Sequence, residues 1–232
     1  SKLKERFKID VTLDNIIIPY RETIRGQVTQ RYKYKKQSGG HGQYGDVEMT
    51  FEPLHDYTVP FVFEEKIFGG AVPKAYFPAV EKGLVEATKH GILAQYPVLG
   101  IKATLIDGSY HSVDSSEMAF KTATIMCFKE AMEKAKPALL EPFMTLHVYI
   151  DEQFTGDIMG HFNKKRARVM GSEILEDGLI KITAEAPQEE VMNYAVDLRA
   201  MTQGQGFFDM EFLGYEFAPE HVAKRVIANH QQ

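Results

Sequence analysis

The chain has 232 residues, enough for one large or two ordinary domains, and with 44% hydrophobic and 25% charged residues it can bury real cores. No apolar run approaches the ~20 residues that span a bilayer, no signal peptide opens the chain, and a single cysteine, Cys127, excludes an internal disulfide or a cysteine-based zinc cage and fits a reducing cytosol. The net charge of −5 means that any contact with nucleic acid must come from local basic patches, because the overall field repels it.

The opening Ser1-Lys2-Leu3-Lys4-Glu5-Arg6-Phe7 carries mixed charge at helical spacing and reads as the tail of a helix whose beginning is missing. Residues 1–19 are accordingly expected to be the end of a preceding domain and a linker, in a piece of a longer protein. From Val28 the pattern alternates, with Val28, Tyr32 and Tyr34 on one strand face and Thr29, Arg31, Lys33 and Lys35 on the other. The return strand repeats it, with Val47, Met49 and Phe51 on one side and Asp46, Glu48 and Glu52 on the other. Period-two alternation on both sides of a glycine-rich stretch predicts a long β-hairpin. Its loop, residues 37–45, is longer than the usual ~2–5-residue connection, and excess loop length often marks function.

A helix is predicted over 74–90, with Phe77, Val80, Leu84 and Ala87 on one stripe and Gly91 as its stop. Residues 98–106 alternate again and place Leu99, Ile101, Ala103 and Leu105 on a single face. A second polar loop, Asp107 to Asp114, leads into a helix at 115–135, for which Asp114 and Glu117 form a capping-box pattern. Phe120, Ala123, Cys127 and Ala131 are its buried stripe, and Lys136-Pro137 ends it. The stretch 138–142 is the expected domain boundary. Beyond it come strand 143–150, helix 155–168, strands 172–176 and 179–186, helix 187–203 and strand 207–215. Ile158 and Phe162 mark one helix's buried face, and Val191, Tyr194, Leu198 and Met201 the other's. This β-α-β-β-α-β order is the ferredoxin-like split unit, an antiparallel sheet with two helices on one face. A final helix from Pro219 to about His230 is an addition to it. The fold class is α+β, in two domains.

The two loops carry the candidate functional residues: Ser38, Gly39, Gly40, His41, Gly42, Gln43 and Tyr44 in the first, and Tyr110, His111, Ser112, Val113 and Asp114 in the second. Loops rich in Gly, Ser, Gln, Tyr and His suit contact with a polar surface such as RNA, and connecting segments carry function more often than the elements they join. His111 with Asp114 has the chemistry of an acid–base pair, but no nucleophile, metal ligand or pocket accompanies it, so the residues argue against catalysis and leave Asp114 as a helix cap and His111 as an exposed loop residue. Arg31, Lys33, Lys35 and Lys36, interleaved with Tyr32 and Tyr34, offer charge and stacking to a phosphate backbone. The rival role, pairing across the hairpin with Glu48 and Glu52, is favoured for Arg31 and Lys33, which leaves Lys35 and Lys36 as the RNA candidates. In Lys164-Lys165-Arg166-Ala167-Arg168, at a helix end, cations complement the dipole, but four in five residues exceed what a cap needs. No G-x-x-x-x-G-K-[ST] occurs, so the chain has no P-loop for a nucleotide, and no spacing suggests a metal site.

The motifs QSGGxGQYG and GSYHxVDSSExAF together resemble a pair from the elongation factor G family, the GTPases that move tRNA and mRNA through the ribosome, and the resemblance runs from Tyr20-Arg21-Glu22-Thr23-Ile24 to the last helix. It implies a domain IV-like unit over 20–138, an elongated βαβ-type domain with a left-handed crossover that breaks the usual right-handed rule. It further implies a ferredoxin-like domain V over 139–218, and a C-terminal helix over 219–232 that packs back on the first domain. The tip loops would enter the decoding site to contact tRNA and mRNA, and Lys164, Lys165, Arg166 and Arg168 would face ribosomal RNA. The implied protein is cytoplasmic and monomeric, a ribosome-stimulated GTPase whose GTP and Mg are held by a preceding domain. Departures are informative. His41 stands where arginine is common, which makes that contact partly pH-dependent, and Ala167 replaces a glycine. The chain therefore resembles a divergent or second-copy form more than the housekeeping one. A protection, rescue or recycling factor of the same fold is the alternative, and a free-standing RNA-processing enzyme using His111 a more distant one.

Overall fold

The computed structural model describes residues 17–37 and 39–232, so the helix tail expected at Ser1–Phe7, and Ser38 in the first loop, lie outside the described residues. The chain forms two compact units, one of Tyr20–Leu140 with Phe217–Gln232 and one built on Glu141–Glu216. The first unit starts with β1 (Arg21–Ile24) and the hairpin of β2 (Val28–Lys36) and β3 (Gln43–Pro53), followed by β4 (Phe61–Glu65), α1 (Phe77–Ala87), β5 (Ile101–Ser109) and α2 (Glu117–Lys134). β6 (Pro137–Ile150) continues from it into the second unit, which holds α3 (Thr155–Lys164), β7 (Arg168–Ile174), β8 (Ile180–Pro187) and α4 (Tyr194–Thr202). β9 (Phe207–Phe217) then leads to α5 (Glu220–His230), which belongs to the first unit.

In the first unit the sheet runs β2-β3-β5-β4, antiparallel except for the parallel pair β4 and β5, whose crossover is α1. Period-two patterning decides its two faces. Val47, Met49, Phe51, Ile101, Ala103 and Leu105 are buried under the helices, whereas the opposite face is polar. There Thr29 and Thr50 hydroxyls share a hydrogen bond at 2.9 Å, and Lys102 reaches Glu52 at 3.6 Å and Glu64 at 3.7 Å. The stripe expected on α2 is fully buried at Phe120, Ala123, Cys127 and Ala131. Cys127 is a packing residue. Burial pushes its thiol up to about 12, and its Sγ donates to the Gln30 carbonyl at 3.3 Å.

In the second unit the strand order is β9-β6-β8-β7, the ferredoxin-like arrangement, with α3 and α4 over one face. Phe162 stacks on Tyr194 at 5.5 Å, and Tyr194 meets Phe208 edge-on at 5.1 Å.

Several expectations are corrected. The two units do divide within residues 138–142, between Leu140 and Glu141, but the stretch is continuous strand rather than a linker, because Ala138, Leu139 and Leu140 pair with β1. β1 and β4 carry no clear alternation and were not anticipated; they are short edge strands of 4 and 5 residues. α3 ends at Lys164 rather than 168, and both 74–76 and 188–191 are 3-10 turns rather than α-helix. Ser116, not Asp114, caps α2, its hydroxyl accepting from Ala119 N–H at 3.1 Å.

Gly91 is not the helix stop either, since α1 ends at Ala87. Its reason lies in Glu22, which is only 2% exposed. The Glu22 carboxylate accepts from the backbone N–H groups of Leu93 at 2.7 Å, Ala94 at 3.0 Å and Tyr96 at 2.9 Å, and so organises the loop between α1 and β5. A side chain at position 91 would collide with that carboxylate. Glu22→Ala should therefore strand three N–H donors. At ~1–3 kcal/mol for each buried unsatisfied group, partly relieved by water, the expected loss is about 3 kcal/mol in a urea melt. Gly91→Ala should fall in the same range, and a loss below about 1 kcal/mol in both would show that the cage contributes little.

Candidate functional site

The hairpin connection and the β5–α2 connection, predicted separately, are brought together at one end of the first sheet. β3 begins at Gln43 and β5 runs to Ser109, so the true connections are residues 37–42 and 110–116, shorter than expected. Gly39 and Gly40 take φ of 48° and 135°, the left-handed region expected of glycine at the hairpin tip. The loops are then joined by hydrogen bonds. Tyr44 N–H donates to the Asp114 carbonyl at 3.0 Å, Ser115 Oγ donates to the Tyr44 carbonyl at 2.9 Å, and His111 N–H donates to Ser115 Oγ at 2.9 Å.

Asp114 is thus a member of the tip turn rather than a helix cap. Within that turn His111 Nδ1 accepts from Val113 N–H at 3.2 Å and Asp114 N–H at 3.0 Å. An acceptor at Nδ1 puts the proton of the neutral ring on Nε2, so the half-exposed imidazole presents a donor. Asp114 Oδ2 lies 3.7 Å from Nδ1, outside hydrogen-bond range. With Nδ1 occupied by backbone, the pair is built to hold a turn and offer a hydrogen bond, not to relay a proton. Tyr110 and Val113 stand out at 52% and 69% exposure, and His41 is also exposed.

Beneath the loops lies a buried carboxylate that the sequence pattern assigned to the polar face. The Asp46 side chain is 1% exposed. Arg31 donates to it through Nε at 3.1 Å and Nη2 at 2.8 Å, Ser109 Oγ donates at 2.5 Å, and Tyr44 Oη lies 2.6 Å from that same Ser109 oxygen. Arg31 also reaches Asp107 at 3.2 Å. The Asp46 carboxylate, with Asp107, holds the Arg31 guanidinium above its ordinary range despite the opposing effect of burial. Arg31 does pair across the hairpin as expected, but its ion-pair partner is Asp46 rather than Glu48, its direct neighbour in the register, or Glu52. The twist of the hairpin turns Arg31 toward its diagonal neighbour Asp46, and Lys33 lies over the Tyr44 ring at 5.9 Å. Lys35 and Lys36, at the loop end of β2, are exposed and have no ion pair among the described residues. Arg31, Asp46 and Ser109 were missed as site residues. The available signals were that Arg31 and Asp46 fall on the polar alternates of the two hairpin strands and that Ser109 lies in the predicted second loop.

The basic segment after α3 divides. Arg166 takes a left-handed φ of 51°, just past the helix C-cap Lys165. It forms a two-pronged pair with the buried Glu141, 3.0 Å at each oxygen, and lies 3.6 Å from Glu190. Arg168, already in β7, bonds Glu216 at 2.7 and 2.8 Å and Glu185 at 3.0 Å, with its guanidinium over Phe143 at 4.8 Å. Lys164 and Lys165 have no ion pair among the described residues. Among the described residues no group of three His, Cys, Asp or Glu side chains is placed to hold a metal ion, and no helix is long and apolar enough to cross a membrane.

Comparison with known proteins agrees over both units. Residues 17–136 match the family model of elongation factor G, domain IV, and residues 138–226 that of the elongation factor G C-terminus. An elongation factor G-like protein of Thermotoga maritima is 42% identical over 227 residues, covering 98% of this chain and 33% of that protein. A crystal structure of a Thermus thermophilus protein superposes with a TM-score of 0.86 at 42% identity, over 94% of this chain and 32% of that one. The chain spans about a third of the length of these relatives.

The Asp46 network predicts an asymmetry. Arg31 is 42% exposed and can be hydrated if its partner is lost, whereas Asp46 cannot. Arg31→Met, which leaves a buried carboxylate, should cost about 2–4 kcal/mol, and Asp46→Asn only about 1 kcal/mol. Denaturant melts of the two variants check this; equal costs would mean that Asp46 is hydrated in solution.

Proposed function

The chain belongs to the elongation factor G family of translation factors, and from that premise we propose that it is the ribosome-binding C-terminal portion of a translational GTPase. Its tip loops enter the decoding site of the small subunit and hold the codon–anticodon duplex while tRNA and mRNA move. The observation that carries this reading is the joining of the two loops through Tyr44, Asp114, Ser115 and His111 into one preorganised polar surface. A surface fixed by its own hydrogen bonds loses little conformational entropy when it meets RNA. His111 donates from Nε2 to a base edge or 2′-hydroxyl, the glycine-flanked hairpin tip lets backbone approach closely, and Lys35 and Lys36 meet phosphates.

The second unit anchors to ribosomal RNA through Lys164 and Lys165, while Arg166 and Arg168 hold the backbone on which those lysines stand. GTP and magnesium belong to another part of the longer protein, and this chain's contribution is steric and mechanical. The protein acts in the cytoplasm as a monomer.

His111→Ala in the full-length factor should slow translocation by about tenfold, the equivalent of one hydrogen bond worth ~1.4 kcal/mol. Ribosome-stimulated GTP hydrolysis should stay near normal, since the tip is not the hydrolytic site. Rapid translocation and phosphate-release kinetics decide; equal losses in both, or none in either, would refute the assignment.

The divided basic segment gives a second test. Lys164→Gln with Lys165→Gln should flatten the salt dependence of ribosome binding by about one logarithmic unit per cation, with the melting temperature unchanged. Arg166→Gln should instead lower stability, because Glu141 is left buried and unpaired. If only the arginine variant alters the salt slope, the lysines are not the anchor.

A further inference from the structure

A third loop leaves the first sheet at the end where the tip loops meet. β4 and β5 run parallel, with Phe61 opposite Ile101 and Glu65 opposite Leu105, so the segment after β4 leaves beside the middle of β5 and heads in the direction of its Ser109 end. Both of its ends are anchored. Lys66 N–H donates to the Leu105 carbonyl at 2.8 Å, and Ile67 packs against the core with its N–H on Glu65 Oε2 at 3.0 Å. Val72, 1% exposed, lies against Gly108, one residue before the Ser109 that bonds Tyr44 and Asp46.

Between the anchors the chain turns through Gly69 and Gly70, whose φ angles of 67° and 70° favour glycine, and nothing lies within 4 Å of a side chain built at either. This turn leaves Phe68 92% exposed. Single exposed apolar residues are ordinary. What sets Phe68 apart is its company in the chain: Lys66 two residues before it and Lys74 six after it are exposed and have no ion pair among the described residues, while Glu64 lies 3.7 Å from Lys102 and Glu65 accepts from Ile67 N–H.

We propose that Phe68 is a third contact element of the tip, stacking on an unpaired base of single-stranded RNA while Lys66 and Lys74 meet its phosphates. An exposed aromatic ring on a segment that also carries unpaired cations, in a loop that glycine lets approach closely, is the combination that grips a single strand without reading its sequence. The inference rests on the reading of the neighbouring loops as RNA-contacting.

The chain contains no tryptophan, so Phe68→Trp creates a sole indole reporter. Titrating that variant with an unstructured RNA decamer at low salt should quench its emission. Adding Lys66→Gln and Lys74→Gln should lower the salt slope by about 1.4, at ~0.7 per phosphate on a single strand. Unquenched emission up to millimolar RNA overturns the proposal.

In the full-length factor Phe68→Ala should weaken binding to ribosomes carrying mRNA and tRNA by roughly 5- to 150-fold, the span of one base–aromatic stack. Phe68→Tyr should restore it and Phe68→Leu should not; restoration by leucine would mark an apolar protein partner and overturn the stacking role. Quenching with normal translocation by His111→Ala would leave this inference standing and sink the translocation reading. Slowed translocation by His111→Ala with an unquenched indole does the reverse.

Discussion

A carboxylate that water cannot reach governs the tip. Asp46 is buried on the polar face of the sheet, and it is tolerable there only because a guanidinium and a hydroxyl converge on it. Asp46 and these two partners come from three strands: Asp46 from β3, Arg31 from β2 and Ser109 from β5. Satisfying one buried charge thus fixes the relative positions of the hairpin and of the strand that feeds the second loop. Tyr44 extends the same network upward through its hydroxyl on Ser109, and its backbone carries the bonds to Asp114 and Ser115. The geometry of the exposed tip is set from below.

Glu22 applies the same physics elsewhere in that unit. One buried anion satisfies three loop N–H groups at once, and the loop between α1 and β5 needs no regular structure to be ordered. In the second unit Glu141 does this with a cation, drawing Arg166 into a left-handed backbone position that ends the turn after α3. Glycine usually fills such a position, and the two-pronged ion pair offsets the strain of a side chain there. In all three cases a buried carboxylate fixes the elements around it, and the basic groups left over, Lys35, Lys36, Lys164 and Lys165, have no ion pair among the described residues.

The distinction between arginine and lysine follows from their chemistry. A planar guanidinium matches a carboxylate at two points and loses little on being held. Arg31, Arg166 and Arg168 are used in that way. A lysine ammonium is a strongly hydrated point charge on a flexible stem, better suited to stay in solvent and meet phosphates. A run of mixed basic residues is therefore not one patch, and counting its charges overstates what it can offer to RNA.

The sequence by itself determined the hairpin, the buried stripe of α2, the ferredoxin-like order of the second unit and the two loops that meet at the tip. Each of these rests on local periodicity or glycine placement, which the chain carries residue by residue. β1 and β4 were not legible because short edge strands hold too few residues to show a period. The roles of Asp46, Glu22, Arg166 and Gly91 were decided by tertiary structure alone. A buried ion pair joins residues far apart in the chain or on different strands, and nothing in the neighbourhood of either partner announces the other. Asp46 and Glu48 read alike as polar alternates on β3; only the twist that brings Arg31 and Ser109 onto one of them makes it the buried centre of the site.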